Sequence, residues 1–416
     1  MAIDLTTSLT LPSSVSLPNR LAKSALSEGL GDRDQAPTPN LIRLYERWSQ
    51  SGAGLLITGN VMVDRRALGE VGNVAVEDDR HLEALSKWAA AATAGNAQAW
   101  VQLNHPGRQA PRALNREAVA PSKVAVTGAP GVFGTPRELT SPEIEEVVAR
   151  FAASARLVVD AGFTGVQIHA AHGYLLSQFL SPLTNKRTDA WGGTPQKRRR
   201  LLLEIVRATR AELGVHTPIS VKLNSADFQR GGMTEDESVE VVLDLAAAGV
   251  DLLEISGGNY ESTAFMGAAD QVRESTRARE AYFLDYAERV GAAITAAHAN
   301  LPLMVTGGFR STAGMSEALH GGAVDVIGLG RPLIMEPDLP HRLLTGTADR
   351  ALAVAPRPLR IKHLEGMGEL LWYGVQLRRL GEGKNPDPKR HPLRNLPHYL
   401  KNAGMLGRSQ QRGFAA

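Results

Sequence analysis

His169, His172 and Tyr174 stand in the run Gly165-Val166-Gln167-Ile168-His169-Ala170-Ala171-His172-Gly173-Tyr174-Leu175. They are three proton-capable side chains within six residues, suited to hydrogen-bond donation and proton transfer. Val166 and Ile168 mark the approach as a buried β-strand that ends at His169, with a turn or helical segment from Ala170 onward. Buried polar groups cost free energy unless paired. The carboxyl end of a buried parallel strand is also where α/β architectures build their sites. One alternative for the histidines is metal ligation at helical spacing, but no obvious carboxylate or thiolate completes a set of three or more ligands. The other is a pair of core histidines satisfied by the backbone.

Two further segments have the composition of a phosphate cradle. Val305-Thr306-Gly307-Gly308-Phe309-Arg310 reads as strand, glycine turn and cation, and Gly328-Leu329-Gly330-Arg331-Pro332 repeats the pattern one strand later. Glycines let backbone N–H groups approach an anion, and arginine adds a charge-assisted fork. Simple tight turns are the alternative. Gln102 and Lys222 fall at the ends of two other strands. A carboxamide both donates and accepts, so it can read a pyrimidine-like edge. A lysine under a ring can hold an anion, although a salt bridge at a barrel mouth would also explain it.

The elements that must position these residues alternate between short apolar runs and amphipathic helices. The strand candidates are Arg20–Leu26, Gly54–Thr58, Ala99–Leu103, Gly165–His169, Pro218–Leu223, Leu252–Ser256, Pro302–Thr306 and Asp325–Leu329. Most are nearly continuous apolar runs, as expected of parallel strands covered on both faces. Ser141-Pro142-Glu143 reads as an N-cap before a first-turn proline. Thr234 to Glu237 reads as a capping box, with Gly249 ending the helix it opens. Eight such units predict an α/β fold, a (β/α)8 barrel, with an open doubly wound sheet as the alternative. The barrel would bring Ser27, Asn60, Gln102, His105, His169, Lys222, Asn224, Gly257-Gly258, Gly307-Gly308 and Gly330-Arg331 to one face. Residues 6–18 resemble a small hairpin placed to plug the opposite end. Residues 107–140 form a long loop read as a lid, and residues 259–280 suggest a second.

Composition bounds the rest. The chain has 416 residues, with 43% apolar, 21% charged and 5% aromatic content, which is globular rather than disordered. No run approaches the ~20 apolar residues that span a bilayer, and no secretion signal is recognisable at the start. A formal net charge of +3 is too small to argue for nucleic acid by itself, and neither nucleic acid nor a membrane is expected as partner. The absence of cysteine removes disulfides, thiolate nucleophiles and cysteine-ligated metal centres. A cytoplasmic setting is expected. The reading divides the chain into a barrel over 1–350 and a C-terminal extension over 351–416. From Pro356 that extension carries twelve Lys/Arg against four Asp/Glu.

In order along the chain, the sequence carries Asn19-Arg20-Leu21-Ala22-Lys23-Ser24-Ala25-Leu26-Ser27, Gly52-Ala53-Gly54-Leu55-Leu56-Ile57-Thr58 and Gln102-Leu103-Asn104-His105-Pro106-Gly107-Arg108. They are followed by Ala120-Pro121-Ser122, His169-x-x-His172-Gly-Tyr174-Leu, and a segment from Gln178 to Asp189 that includes Asn185 and Arg187. Gly307-Gly308 and Gly330-Arg331 close the set. Together these motifs resemble the old yellow enzyme family of flavin-dependent ene-reductases over roughly residues 5–345. The resemblance implies a barrel that binds FMN non-covalently and takes electrons from NAD(P)H. Ala25, Leu26 and Asn60 would lie against the isoalloxazine. Ser27 would bond its O4 region, Gln102 its pyrimidine edge, and Lys222 the N1–O2 side. Gly307, Gly308, Gly330 and Arg331 would hold the phosphate. His169 and His172 would bond a substrate carbonyl, and Tyr174 would protonate the α-carbon after hydride reaches the β-carbon. The implied reaction is reduction of an electron-poor alkene. Conjugate hydride addition builds charge on the carbonyl oxygen, which preorganised N–H donors stabilise.

The chain departs from the family pattern in places. Ser27 stands where Thr or Cys is common, and Lys222 where Arg is common. Trp191 replaces a usual Tyr, and Gln196-Lys197-Arg198 a usual Glu-Asn-Arg. Asn185, Arg187 and Asp189 read as a structural brace with Trp191 packed over them. The missing cysteines exclude the branch with an iron–sulfur cluster. Homo-oligomers, dimer or tetramer, are expected, and Trp372 and Tyr373 either cross to a neighbouring subunit or cover their own barrel. Two competing functions remain open in the sequence: an NADH oxidase or flavin reductase, and a non-catalytic flavin-binding component of a larger assembly.

Overall fold

The computed structural model describes residues 4–127, 131–227, 229–256, 283–356 and 365–395. The chain opens with an antiparallel hairpin, β1 (Leu9–Thr10) and β2 (Ser16–Leu17). Then come β3 (Leu21–Lys23), β4 (Leu55–Met62) and β5 (Gln98–Asn104). A small parallel pair, β6 (Val119–Ala120) and β7 (Arg137–Glu138), lies in the long loop after β5. They are followed by β8 (Gly165–Ala170), β9 (Ile219–Asn224), β10 (Leu252–Ser256), β11 (Leu303–Thr306) and β12 (Val326–Leu329). Strands β3, β4, β5, β8, β9, β10, β11 and β12 close into one parallel barrel in that order. All eight strand candidates are present. The first is shorter than expected, because the chain leaves the sheet after Lys23.

Helices cover the outside. They are α1 (Pro39–Ser49), α2 (Leu82–Ala92), α3 (Ser141–Asp160), α4 (Leu175–Leu180), α5 (Pro195–Leu213) and α6 (Glu235–Ala247), then α7 (Leu284–Ala296), α8 (Thr312–His320), α9 (Pro332–Met335), α10 (Leu339–Leu344) and α11 (Glu365–Gly381). The cap of α3 differs by one residue from expectation. Thr140, not Ser141, is the N-cap, and Glu143 reciprocates in a capping box with Pro142 in the first turn. The α6 box is as read, with the Thr234 side chain accepting from the Glu237 N–H. Gly249 takes a φ of 83° beyond that helix, where a side chain would be strained. Thr234→Ala is expected to cost about 1 kcal/mol, read as a lowered midpoint in urea unfolding with the slope unchanged.

Side chains alternate along each strand. One set, including Leu56, Val101, Ile168, Val221, Ile255 and Val305, packs outward in the main core. The other faces the barrel interior and divides into two layers. Toward the amino end, Ala22, Leu55, Ile57, Trp100, Leu252, Met304 and Val326 pack with Leu11 and Leu17 of the hairpin. The hairpin is therefore the plug that its sequence suggested. Toward the carboxyl end the same alternation delivers Ser24, Gln102, Gln167, His169, Lys222, Glu254 and Thr306. One layer later it has exchanged hydrocarbon for polar groups.

Strand β4 reaches that polar layer through a bulge. Ile57 pairs with Trp100, but Asn60 pairs with Gln102, so one extra residue is accommodated between them. Simple alternation from Ile57 would turn Gly59 inward, and the bulge turns Asn60 inward instead.

Candidate active site

At the end of β8, His169 is buried and its Nδ1 accepts the Ala171 N–H at 3.2 Å. That bond leaves Nε2 as the nitrogen carrying hydrogen in the neutral ring. His172 has a φ of 60° and Gly173 one of 74°, a left-handed pair that swings the chain back over the barrel mouth. Asn224, from the end of β9, holds the turn by accepting the His172 N–H at 3.1 Å. The His172 Nε2 lies 2.9 Å from the Ser256 Oγ. The His169 ring meets the His172 ring edge-on at 5.1 Å between centroids and the Tyr174 ring at 4.9 Å. The three residues thus form one cluster. Burial pushes both imidazoles well below the usual histidine range, with the Lys222 charge acting in the same direction on each and His172 adding to it for His169. Both shifts favour the neutral imidazole, which carries a single ring N–H. Among the described residues no group of three or more His, Asp or Glu side chains is placed to hold a metal ion.

Gln102 and Lys222 belong to a polar chain across the barrel interior. Gln102 Nε2 donates to Gln167 Oε1 at 2.8 Å, and Gln167 Nε2 donates to Glu254 Oε2 at 2.8 Å. Lys222 Nζ pairs with Glu254 Oε1 at 2.9 Å. Thr306 Oγ1 donates to that same oxygen at 2.7 Å and meets Ser24 Oγ at 2.8 Å. Lys222 therefore makes a salt bridge inside the barrel. Sequence reasoning missed Gln167, Glu254, Ser256, Thr306 and Ser24. For Gln167 the available signal was its place two positions before the recognised His169 on the same strand.

The segment after β3 carries Ala25, Leu26 and Ser27, which grade from half-buried to exposed. It is held from behind by Glu28. One carboxylate oxygen accepts from Lys23 Nζ at 3.2 Å, Tyr45 OH at 2.5 Å and the Gly59 N–H at 3.0 Å. A Cβ on Gly59 would come within 2.0 Å of Glu28 Oε2, so glycine permits this approach. Lys23 is wholly buried, and burial lowers its pKa against the raising effect of Glu28. Ser27 Oγ reaches Asn60 Oδ1 at 3.5 Å.

At the other edge of the mouth Gly307 and Gly308 have φ of 133° and 89°, conformations that side chains disfavour. Gly330 sits opposite Leu26. Arg331, the cation of the second glycine motif, makes an ion pair within the chain. Its Nη1 pairs with Glu369 of α11 at 2.7 Å, and its guanidinium lies 5.4 Å from the Tyr373 ring centroid. Helix α11 packs against α1 and α9 of its own chain, with Trp372 and Leu380 fully buried and Trp372 Nε1 donating to Arg390 O. Trp372 and Tyr373 thus cover their own barrel here.

The loop after β5 folds over the same face. Arg108 N–H donates to Gln178 Oε1, and Gln109 Nε2 donates to His172 O at 3.0 Å. The brace is as read. Arg187 bonds Asp189, and it also holds the Pro121 and Leu139 carbonyls that flank the loop. Asn185 donates to Trp191 O, and Arg200 stacks 4.3 Å from the Trp191 ring centroid. Gly257-Gly258 and residues 259–280 lie outside the described residues.

His105, at the base of that loop, accepts the Gly107 N–H at Nδ1 and is pushed down to about 4 by burial, against the opposing charge of Asp64. The unfolded chain protonates this residue near ~6.5. The folded state therefore loses stability as pH falls from about 6.5, and the loss saturates near the folded value, on the order of 3 kcal/mol. His105→Asn should flatten urea-unfolding midpoints over that window. An unchanged pH slope would refute the assignment.

A parallel barrel with one buried and one half-buried imidazole, a phenol, an ammonium group and a glycine turn at its carboxyl mouth is suited to an enzyme acting through a bound phosphorylated cofactor. The family model described as the NADH:flavin oxidoreductase / NADH oxidase family matches residues 7–350, and the chain belongs to that family, the one that includes the old yellow enzymes. An NADH-dependent flavin oxidoreductase (iliE) of Neonectria sp. is 40% identical over 80% of this chain, which spans only 46% of that protein's length. Another, iccE of Talaromyces variabilis, is 37% identical over 82% of this chain and 86% of its own. The solved old yellow enzyme homologue of Zymomonas mobilis superposes with a TM-score of 0.70 at 24% identity, covering 84% and 94% of the two chains, and shows the same fold. The protein is an NAD(P)H-dependent flavin oxidoreductase with FMN as its cofactor. The residues present fit that group. The buried Asn224 Nδ2 and both polar side-chain atoms of Asn104 lack hydrogen-bond partners among the described residues. The positive φ values at Gly307 and Gly308 give that turn the backbone freedom that close approach to a phosphate requires.

Proposed function

We propose that the protein reduces electron-poor alkenes conjugated to a carbonyl, using NAD(P)H. The observation that carries this reading is the cluster of His169, His172 and Tyr174, in which two neutral N–H donors and a phenol converge at one end of β8. An electron relay has no need of such a set. The hydride chemistry is FMN's, which when bound accepts hydride from NAD(P)H and passes it to the alkene β-carbon. Ala25, Leu26 and Asn60 would hold the ring system. Ser27, Gln102 and Lys222 would bond its polar edge, and Gly307, Gly308, Gly330 and Arg331 its phosphate. His169 and His172 hold the substrate carbonyl oxygen and stabilise the charge that grows there. Tyr174 gives its proton to the α-carbon and regains one from solvent. Residues 351–416 are read as a C-terminal extension of which α11 docks on the barrel, and the assembly as a homo-oligomer.

The test is isotopic. Reduction of 2-methyl-2-cyclohexenone with nicotinamide cofactor deuterated at C4 should label the β-carbon, and reduction in deuterium oxide the α-carbon. Absence of saturated ketone, with nicotinamide still consumed, would refute alkene reduction.

A further inference from the structure

We propose that Glu254 sets the charge at the Lys222 end of the site. It binds the Lys222 ammonium into a neutral buried pair, so that bound FMN meets an oriented donor and not an unbalanced cation. The proposal rests on the reading that Lys222 faces the flavin.

The geometry is unusually complete. Lys222 is 5% exposed and Glu254 is not exposed at all, with Nζ and Oε1 2.9 Å apart. Three donors converge on the carboxylate: Lys222 and Thr306 on Oε1, and Gln167 on Oε2. Gln167 is fixed in turn by Gln102 and Ser220. The carboxylate therefore cannot swing away without breaking bonds on both oxygens. In so dry a place a charge one residue away is felt strongly. Flavin reduction adds negative charge to the cofactor. A lone ammonium beside it would favour the reduced form, and a paired one favours it much less. Lysine in place of the family's usual arginine suits this arrangement, since a compact ammonium can be matched by one carboxylate oxygen. Glu254 is thus a positioning residue that acts through Lys222.

The experiment is a double-mutant cycle on midpoint potential, measured by dye equilibration on the FMN-loaded protein. Glu254→Gln keeps the side-chain shape and removes the counter-charge, and the potential should move positive. Lys222→Met should move it negative. The double variant replaces a neutral pair by two neutral groups and should return close to the parent value. That recovery also separates an electrostatic effect from damage to the fold. A Lys222→Met potential equal to the parent would show that Lys222 does not face the flavin, and the underlying reading would fail. A shift in Lys222→Met with none in Glu254→Gln would overturn the role given to Glu254 alone.

Discussion

Replacing either histidine of the pair by alanine should lower the rate of alkene reduction by about 10²–10³-fold, the usual effect of removing one preorganised oxyanion donor. The loss should fall on the step that consumes the alkene. The step in which NAD(P)H is oxidised should change far less, because no carbonyl charge grows there. The two effects should not add, since both rings serve one oxygen. His169→Ala also removes an acceptor for the Ala171 N–H and an edge contact for Tyr174, so His169→Asn is the fairer variant. Its carboxamide keeps a donor and should recover part of the rate. Anaerobic stopped-flow of the two half-reactions separates these outcomes. Equal losses in both would mean that the histidines support the fold or the cofactor rather than the carbonyl.

Tyr174→Phe is the second large effect. Phenylalanine keeps the ring that packs on His169, so stability should change little. The hydroxyl is lost, and with it the proton for the α-carbon. A fall of about 10²–10⁴-fold in alkene turnover is expected, again with NAD(P)H oxidation nearly intact. A nitroalkene, whose nitronate leaves the enzyme without needing that proton, should still be consumed. Failure on both substrates alike would place Tyr174 in binding rather than proton transfer.

How much of this was legible in the sequence depended on where each residue sat along a strand. His169, Gln102 and Lys222 were readable because they are polar residues at the ends of apolar runs. Glu254 was not, because it lies inside Leu252-Leu253-Glu254-Ile255-Ser256, a run that reads as plain buried strand. Its role appears only when β9 and β10 pair in register and set it beside Lys222. Asn60 needed the family resemblance, since its inward aim comes from a bulge that no local pattern announces. The Arg331–Glu369 pair joins residues 38 positions apart, through a helix whose docking site is formed by other elements. The one-residue error at α3 was local: Thr140 and Ser141 are both good caps, and only the reach of Glu143 back to Thr140 decides between them.

The most direct measurement is the visible spectrum of the purified protein under anaerobic conditions, followed through two additions. The account predicts a yellow, FMN-containing protein that bleaches with NADH or NADPH. It then recovers its colour on addition of 2-cyclohexenone, with one cyclohexanone formed per flavin. Bleaching that is reversed by air but not by the enone would contradict alkene reduction and leave an oxidase. A protein that cannot take up FMN would contradict the account at its base.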